Sequence, residues 1–223
     1  MDWAVLPGNE AGEAETVEQR CVAAVWELIE EGEQPAAGRL SVHVDVPWSE
    51  LEAHLADLER AGLARRGTVV ELTVDGWQRA AQVVRRRRLA ECLLADTVGL
   101  PPGRVSAEAR WLGPVLNDRT EAALAAVLGE PVRCPHGNPI PVPGDRPTGG
   151  LSLTAAGPGR ALVVDRIAES VALSPSLEQV LRAGVRPGAT VEVIDLRGDV
   201  VHLDGEAGRQ SLARHVADRI RVS

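Results

Sequence analysis

The chain has 223 residues, of which 44% are hydrophobic and 25% charged, so it is long enough for two or three small domains with buried cores. Its net charge of −8 argues against broad coating of nucleic acid, but it leaves room for a small basic patch. No apolar run approaches the ~20 residues of a membrane span, and the three cysteines form no CxxC pair. We therefore expect a cytoplasmic protein with reduced thiols and no membrane partner.

The N-terminal part predicts a leader followed by two helices. Residues 1–15 have the Gly and Glu content of a flexible leader. Thr16 and Gln19 match a capping box, in which each residue satisfies a free backbone N–H group of the other. The first helix starts there and ends near Gly32, and a second, short helix is predicted over 36–44.

The next segment completes the pattern of a winged helix. A second capping box, Ser49 with Glu52, predicts a helix that ends at Gly62. Trp48 lies in the turn before it, where packing is favoured over an exposed contact. Two extended pieces over 64–73 then predict a β-hairpin. Three helices followed by a hairpin is the order of a winged helix-turn-helix domain, although it also occurs in other folds.

The remainder of the chain predicts a helical domain and a small β domain. Further helices are predicted at 74–96, 104–112 and 118–128. Pro and Gly are frequent over 131–150, which indicates a linker. Short β-rich runs follow at 161–167, 190–195 and 200–203, typical of a small barrel. The predicted domains are a leader (1–15), a winged-helix domain (16–76), a helical domain (77–130), the linker (131–150) and a β-barrel (151–223). The fold class is therefore mainly α with small β parts.

Four stretches, in this order and spacing, carry a family resemblance. They are Trp26-Glu27-Leu28-Ile29-Glu30-Glu31-Gly32; Leu58-Glu59-Arg60-Ala61-Gly62-Leu63; Arg88-Leu89-Ala90-Glu91; and Cys134-Pro135-His136-Gly137-Asn138-Pro139-Ile140-Pro141. The chain from about Thr16 to Val222 resembles the diphtheria-toxin repressor and iron-dependent regulator family. That resemblance implies a winged helix in the DNA major groove, a helical domain that dimerises and binds two divalent metals, iron or manganese, and a modulatory FeoA-like barrel. We therefore expect a homodimer that binds a double-stranded DNA operator.

The sequence departs from the family where the family holds its metals. The resemblance places metal-ligand positions at Arg20, Arg87, Glu91, Ser106 and Arg110, with further ones near Gly113, Pro114, Leu173 and Ser176. Only Glu91 is a metal donor, and one carboxylate is too few for a transition metal. The histidines and cysteines are scattered along the sequence, and none shows ligand spacing. We therefore predict that no divalent metal cofactor is bound, unless other donors substitute.

The arginines suggest an internal replacement for the ion. A guanidinium from Arg20, Arg87 or Arg110 pairing with Glu91 would hold one conformation without metal, through charge-assisted hydrogen bonds. The plain alternative is that these three arginines lie at the surface.

The DNA-reading residues also depart from the family. Its recognition-helix positions fall on Ser49, Glu50, Glu52, Ala53 and Asp57, and the retained or nearby cations are Arg39 and Arg60, with Arg65 and Arg66 in the wing. Acidic side chains face phosphates unfavourably, which predicts weaker or retargeted DNA binding, although Glu50 and Glu52 also suit the first turn of a helix. The leading hypothesis is a DNA-binding transcriptional regulator that does not respond to the family's metals. The alternative is a repurposed member whose Arg-lined former metal cavity binds, or acts on, an anionic small molecule. No catalytic grouping is identified, which argues against an enzyme.

Overall fold

The computed structural model describes residues 15–223, and within them the predicted fold class is confirmed. The N-terminal domain consists of α1 (Val17–Glu30), α2 (Ala37–Val44), α3 (Trp48–Arg60), β1 (Ala64–Arg66) and β2 (Val70–Leu72). The capping box of Thr16 and Gln19 is present at the start of α1. The predicted leader lies outside the described residues except for Glu15, which is buried and so does not belong to a loose segment.

The start of α3 differs from the prediction. Its N-cap is Pro47 and no side chain caps it, so the capping box of Ser49 and Glu52 is wrong. Because Pro47 is the N-cap, the helix begins two residues earlier than predicted, and Ser49 lies inside the first turn. Trp48 is the first residue of α3 and is 48% exposed, so it is not a packed turn residue.

The hydrophobic core of the winged helix also includes the helix that follows it. The first helix of the second domain, α4 (Val74–Cys92), contributes Ala80 and Val84 to the core formed by α1–α3. Trp26 of α1 and Trp77 of α4 meet edge to face, with ring centroids 6.0 Å apart. The two domains therefore share one core, which places α4 directly behind α1.

The second domain continues with a π-helical turn (Leu93–Val98), α5 (Pro102–Leu112), a 3-10 turn (Gly113–Val115) and α6 (Asp118–Val127). The segment 131–150 contains no helix or strand, as expected of a linker. Its side chains are nevertheless part of the core, because Cys134 and Ile140 are buried against Leu89 and Ala125. The segment therefore has a fixed position beside α4.

The C-terminal domain is one six-stranded antiparallel sheet with short helices. Its strands are β3 (Leu151–Ser152), β4 (Ala161–Ile167), β5 (Thr190–Arg197), β6 (Val200–Gly205), β7 (Gln210–Ala213) and β8 (Ile220–Val222), in the order β3-β8-β4-β5-β6-β7. Its helices are α7 (Leu153–Ala156), α8 (Glu169–Ala172), α9 (Ser176–Arg182) and α10 (Arg214–Ala217). Alternating valines and leucines on β4–β6 fill its core.

Two arginines attach the C-terminal domain to the end of α1. Arg221 donates to the carbonyl oxygens of Glu30 and Glu31, and Arg166 donates to that of Glu30 at 3.3 Å. The last carbonyls of a helix lack partners within the helix and carry the negative end of its dipole, so they attract guanidinium groups. This contact brings α8 close to α1 and α4. None of the described helices is long and apolar enough to span a bilayer.

Candidate functional site

Three potential metal-ligand side chains meet at a buried point between α4 and the segment 131–150. They are Glu91, Cys134 and His136, whose donor atoms all lie within 4.8 Å of one another. The Oε2 atom of Glu91 is 3.7 Å from Nδ1 of His136, and the hydroxyl of Ser106 donates to Oε1 of Glu91 at 2.7 Å. Sequence analysis described the histidines and cysteines as scattered, which is wrong for Cys134 and His136.

A tight turn places Cys134 and His136 on one side. The N–H of Gly137 donates to the carbonyl of Cys134 at 2.8 Å, and the N–H of Cys134 donates to the carbonyl of Asn138 at 2.9 Å. Gly137 has φ +82°, and a Cβ atom there would clash with the carbonyl of Asp165, so glycine is required. The turn is also joined to β4, because the N–H of Ile167 donates to the carbonyl of His136.

The charges of these groups depend on one another. Burial raises the pKa of Glu91, but its interactions with His136, and then with Cys134 and Ser106, outweigh burial and bring it to about 2. Burial lowers the pKa of His136, but Glu91 outweighs it and the net shift is upwards. Burial and the charge of Glu91 hold the pKa of Cys134 well above its usual range. These shifts favour a carboxylate on Glu91, a protonated imidazole on His136 and a neutral thiol on Cys134.

The donor set fits a divalent transition metal. Oε2 of Glu91 and Nδ1 of His136 are buried without a hydrogen-bond partner, which is costly unless something else contacts them. A thiolate, an imidazole and a carboxylate together suit zinc, iron or cobalt, and a bound ion displaces the protons of the thiol and the imidazole. Glu169, on α8, is also fully buried, and neither of its carboxylate oxygens has a hydrogen-bond partner. Its pKa is raised by burial and then by Glu91, which puts it near the same point.

Another group of possible ligands, Glu18, His54 and Asp57, lies at the surface between α1 and α3. Nδ1 of His54 already contacts Glu18 at 2.7 Å, and Asp57 is paired with Arg60 at 2.6 Å. All its carboxylates are partly exposed, and such groups are common without a metal. It is a weaker candidate than the buried set.

Arg87 lies next to the buried set but faces other carboxylates. Its guanidinium pairs with Glu27 of α1, with Glu15 at 3.6 Å and with Glu169 at 3.8 Å. Arg87 makes no ion pair with Glu91, whose oxygens face Ser106 and His136 instead. The hypothesis of a guanidinium paired with Glu91 is therefore wrong, and so is the alternative that Arg87 is a surface residue, because it is 1% exposed.

The other two arginines complete this charged cluster. Nη1 of Arg20 donates to the carbonyl of Val44 at 2.6 Å, and Nε of Arg110 is buried without a hydrogen-bond partner. Burial and the neighbouring charge of Arg87 lower the pKa of Arg110. Among the described residues, a cavity beside Glu27 and Glu169 measures about 10 Å³, room for one water molecule, and its lining includes Arg166 and Arg221 but not Arg20, Arg87 or Arg110. It gives no support to the alternative of an anionic small molecule.

The DNA-reading face is exposed, but much of its positive charge is paired. Ser49, Glu50, Glu52 and Ala53 are all exposed along α3. Three of the arginines expected to contact DNA have acidic partners: Arg39 with Glu33 (2.9 Å), Arg60 with Asp57 (2.6 Å) and Arg66 with Glu59 (2.7 Å). In the described part of the chain, Arg65, in the middle of β1 and opposite Glu71 of β2, forms no ion pair within 4.0 Å.

Comparisons with known proteins match this architecture. Residues 73–142 match the family model "Iron dependent repressor, metal binding and dimerisation domain", and residues 151–223 match the FeoA domain. The chain is 33% identical over 190 residues to the diphtheria toxin repressor of Corynebacterium efficiens, covering 79% of this chain and 82% of the relative. It is 36% identical over 184 residues to the iron-dependent repressor IdeR of Mycobacterium tuberculosis, covering 76% and 80%.

The chain belongs to the diphtheria toxin repressor and IdeR family. Solved structures agree: a manganese-dependent transcriptional repressor in complex with manganese is 29% identical, with a TM-score of 0.81, covering 92% of this chain and 98% of that one. IdeR of T. acidophilum, at 22% identity, shares the fold with a TM-score of 0.78, covering 95% and 99%.

Within this family fold, the positions named from the sequence separate into two neighbouring groups. Glu91 and Ser106 belong to the buried set with Cys134 and His136, whereas Arg20, Arg87 and Arg110 belong to the arginine cluster. The C-terminal domain contributes a residue that sequence analysis missed. It placed ligand positions near Leu173 and Ser176, but the buried carboxylate is Glu169. The Cys-x-His spacing was the one signal in the sequence for the buried set.

Proposed function

We propose that this chain is a homodimeric, DNA-binding transcriptional regulator that responds to a divalent transition metal held by Glu91, Cys134 and His136. Membership of a family of metal-dependent repressors supports the regulator, and the family model for 73–142 supports dimerisation through the helical domain. The observation that carries the metal response is the meeting of these three buried donors, where Oε2 of Glu91 and Nδ1 of His136 lack a hydrogen-bond partner.

The DNA part of the proposal depends on α3 and the wing. The exposed face of α3 and the unpaired Arg65 support this part, because a winged helix puts its recognition helix in the major groove and its wing beside a phosphate. Glu50 and Glu52 on that face repel phosphates. Operator binding should therefore be weak, and it should depend strongly on salt.

The metal part revises the sequence-based hypothesis. At the positions of Arg20, Arg87 and Arg110, the absence of a bound metal stays a prediction, because guanidinium groups would repel an ion. At Glu91 the geometry favours metal binding, because Cys134 and His136 offer donor atoms beside its carboxylate. A bound ion would supply a positive charge that joins α4 to the turn 134–138.

The test measures metal content and DNA binding together. Elemental analysis of the purified protein, loaded with Zn²⁺ or Co²⁺, should find metal in the wild type and a loss of it in the C134S/H136A variant. Fluorescence anisotropy with promoter DNA from the gene's own neighbourhood should show tighter binding with metal than with EDTA. Cobalt adds a further readout, since thiolate coordination gives a characteristic absorption band that C134S should abolish.

The matched control is C21S, which removes a buried thiol remote from the site. It should behave as the wild type in all three measurements. Equal metal content in the wild type and C134S/H136A would refute the site. Absence of any DNA shift at low salt, with or without metal, would refute the regulator.

A further inference from the structure

Arg87 lies in a cage of three buried carboxylates that come from three parts of the chain. Glu15 precedes α1, Glu27 is on α1 and Glu169 is on α8, while Arg87 itself is on α4. All four side chains are at most 3% exposed. The cage therefore lies where the winged helix, the helical domain and the C-terminal domain meet.

Such a cage requires a cation. Three carboxylates shielded from water repel one another and pay a large desolvation penalty unless positive charge lies between them. A guanidinium is permanently charged and presents five donors, so one side chain reaches several acceptors. Arg110 lies near enough to interact with Glu169 and Glu15, and Arg20 lies near Arg110, so further positive charge borders the cage.

The position of Arg87 sharpens this reading. The family resemblance implies a metal-binding histidine at this place in the sequence, and carboxylates are suitable co-ligands for a divalent ion. An ion does not fit here, because the guanidinium already occupies the space between the carboxylates. Acidic groups therefore surround the position, and a permanent cation lies where the resemblance implies a neutral donor.

We propose that Arg87 is a permanent internal cation that does the work of a bound divalent ion, joining α1, α4 and α8 whether or not metal is present. Its consequence for DNA binding rests on the proposed function, because α1 belongs to the DNA-reading domain. The orientation of that domain is therefore fixed at this point without metal, and the response to metal is confined to Glu91, Cys134 and His136.

The test puts a neutral donor back at position 87. R87H, made in the C134S/H136A background so that the proposed metal centre is absent, leaves three carboxylates and a neutral imidazole. We expect it to bind about one more Mn²⁺ per protomer than its parent by elemental analysis. Its melting temperature should fall in EDTA and recover with Mn²⁺, whereas the parent's should not change between the two conditions.

The matched control is R88H in the same background. Arg88 is the next residue and is equally buried, but its one carboxylate partner within 4.0 Å in the described chain is Glu30. R88H should lose stability without gaining an ion or recovering with Mn²⁺. The proposal is overturned if R87H gains no ion, or if its melting temperature is the same in EDTA and in Mn²⁺. That result is independent of the proposed function, which is tested in the wild type.

A second variant covers the case in which R87H does not fold. R87M keeps the length of the side chain and removes its charge, so the carboxylates should drive the domains apart. Amide hydrogen exchange in α1 of the otherwise wild-type protein should then accelerate about tenfold or more. Exchange in α1 equal to the wild type would overturn the proposal.

Discussion

The pair of Arg88 and Glu30 offers the sharpest test of how the domains are held together. Nη1 and Nη2 of Arg88 donate to the two oxygens of Glu30 at 3.0 and 2.5 Å, and Nη1 also donates to the carbonyl of Pro139 at 2.5 Å. Arg88 is 0% exposed. Replacing it in R88M leaves the carboxylate buried without its countercharge, which should cost about 3–5 kcal/mol of unfolding free energy.

The double variant tests whether the loss in R88M comes from the buried, unpaired carboxylate. In R88M/E30Q both charges are gone, while glutamine keeps an acceptor for the indole N–H of Trp26, which now donates to Glu30 at 2.9 Å. We expect the double variant to lose only about 1–2 kcal/mol, less than R88M alone. Urea unfolding followed by Trp fluorescence, at fixed protomer concentration, measures the unfolding free energy of the wild type, both single variants and the double variant. Losses in R88M and E30Q that simply add in the double variant would refute a desolvated ion pair.

Three further predictions concern pH, DNA and the turn. Burial lowers the pKa of His43, even though Nε2 of its imidazole lies 2.7 Å from Oε2 of Glu27. The unfolded state therefore takes up the proton first, and stability should fall as the pH drops below about 6.5. Between pH 7.5 and 5.5, the unfolding free energy of H43Q, measured in urea, should fall less than that of the wild type. The same fall in both proteins would contradict the assignment. Removing like charge in E50Q/E52Q should tighten promoter binding about fivefold at low salt and less at high salt, as measured by anisotropy, and a weaker complex would mean that the carboxylates contact bases. G137A should lose about 2 kcal/mol or more and most of its bound metal, because alanine resists φ +82° and its Cβ would strike a carbonyl of β4; a normal melting temperature would contradict this.

The elements that sequence analysis predicted well are those with local signals. The capping box at Thr16 has both partners within four residues, and the hairpin at 64–73 and the run at 161–167 show β-rich patterns bounded by turns. These signals need no knowledge of the rest of the chain. The one local error, the capping box at Ser49, came from a motif whose place was already taken by Pro47.

The site could not be predicted in the same way, because its parts come together only through tertiary packing. A pair between Glu91 and one of the arginines was expected from the family's ligand positions, yet Glu91 and Arg87 each have a nearer partner on another element. Glu169 follows β4 on a helix of four residues, too short for any periodic pattern. A segment rich in Pro and Gly indicated a linker, and only the fold shows that Cys134 and His136 point from it towards α4.

The charged contacts of α1 determine where a response to metal should first be seen. On α1, Glu27 and Glu30 lie on one face and pair with Arg87 and Arg88, while the carbonyls at its end accept from Arg221. All these contacts are buried and need no ion, so α1 is already fixed. The turn 134–138 is joined instead to β4, through the backbone of His136 and through Nδ2 of Asn138, which donates to the carbonyl of Ile167 at 2.9 Å.

An ion bound beside Glu91 should therefore stabilise the turn and β4 before it affects α1. In the wild type, Zn²⁺ should slow amide hydrogen exchange over 161–167 more than over 17–30, and C134S/H136A should abolish the difference. The reverse order, with α1 protected first, would mean that metal acts on the DNA-reading domain directly. It would then be the cage around Arg87, and not the thiolate site, that takes up the ion.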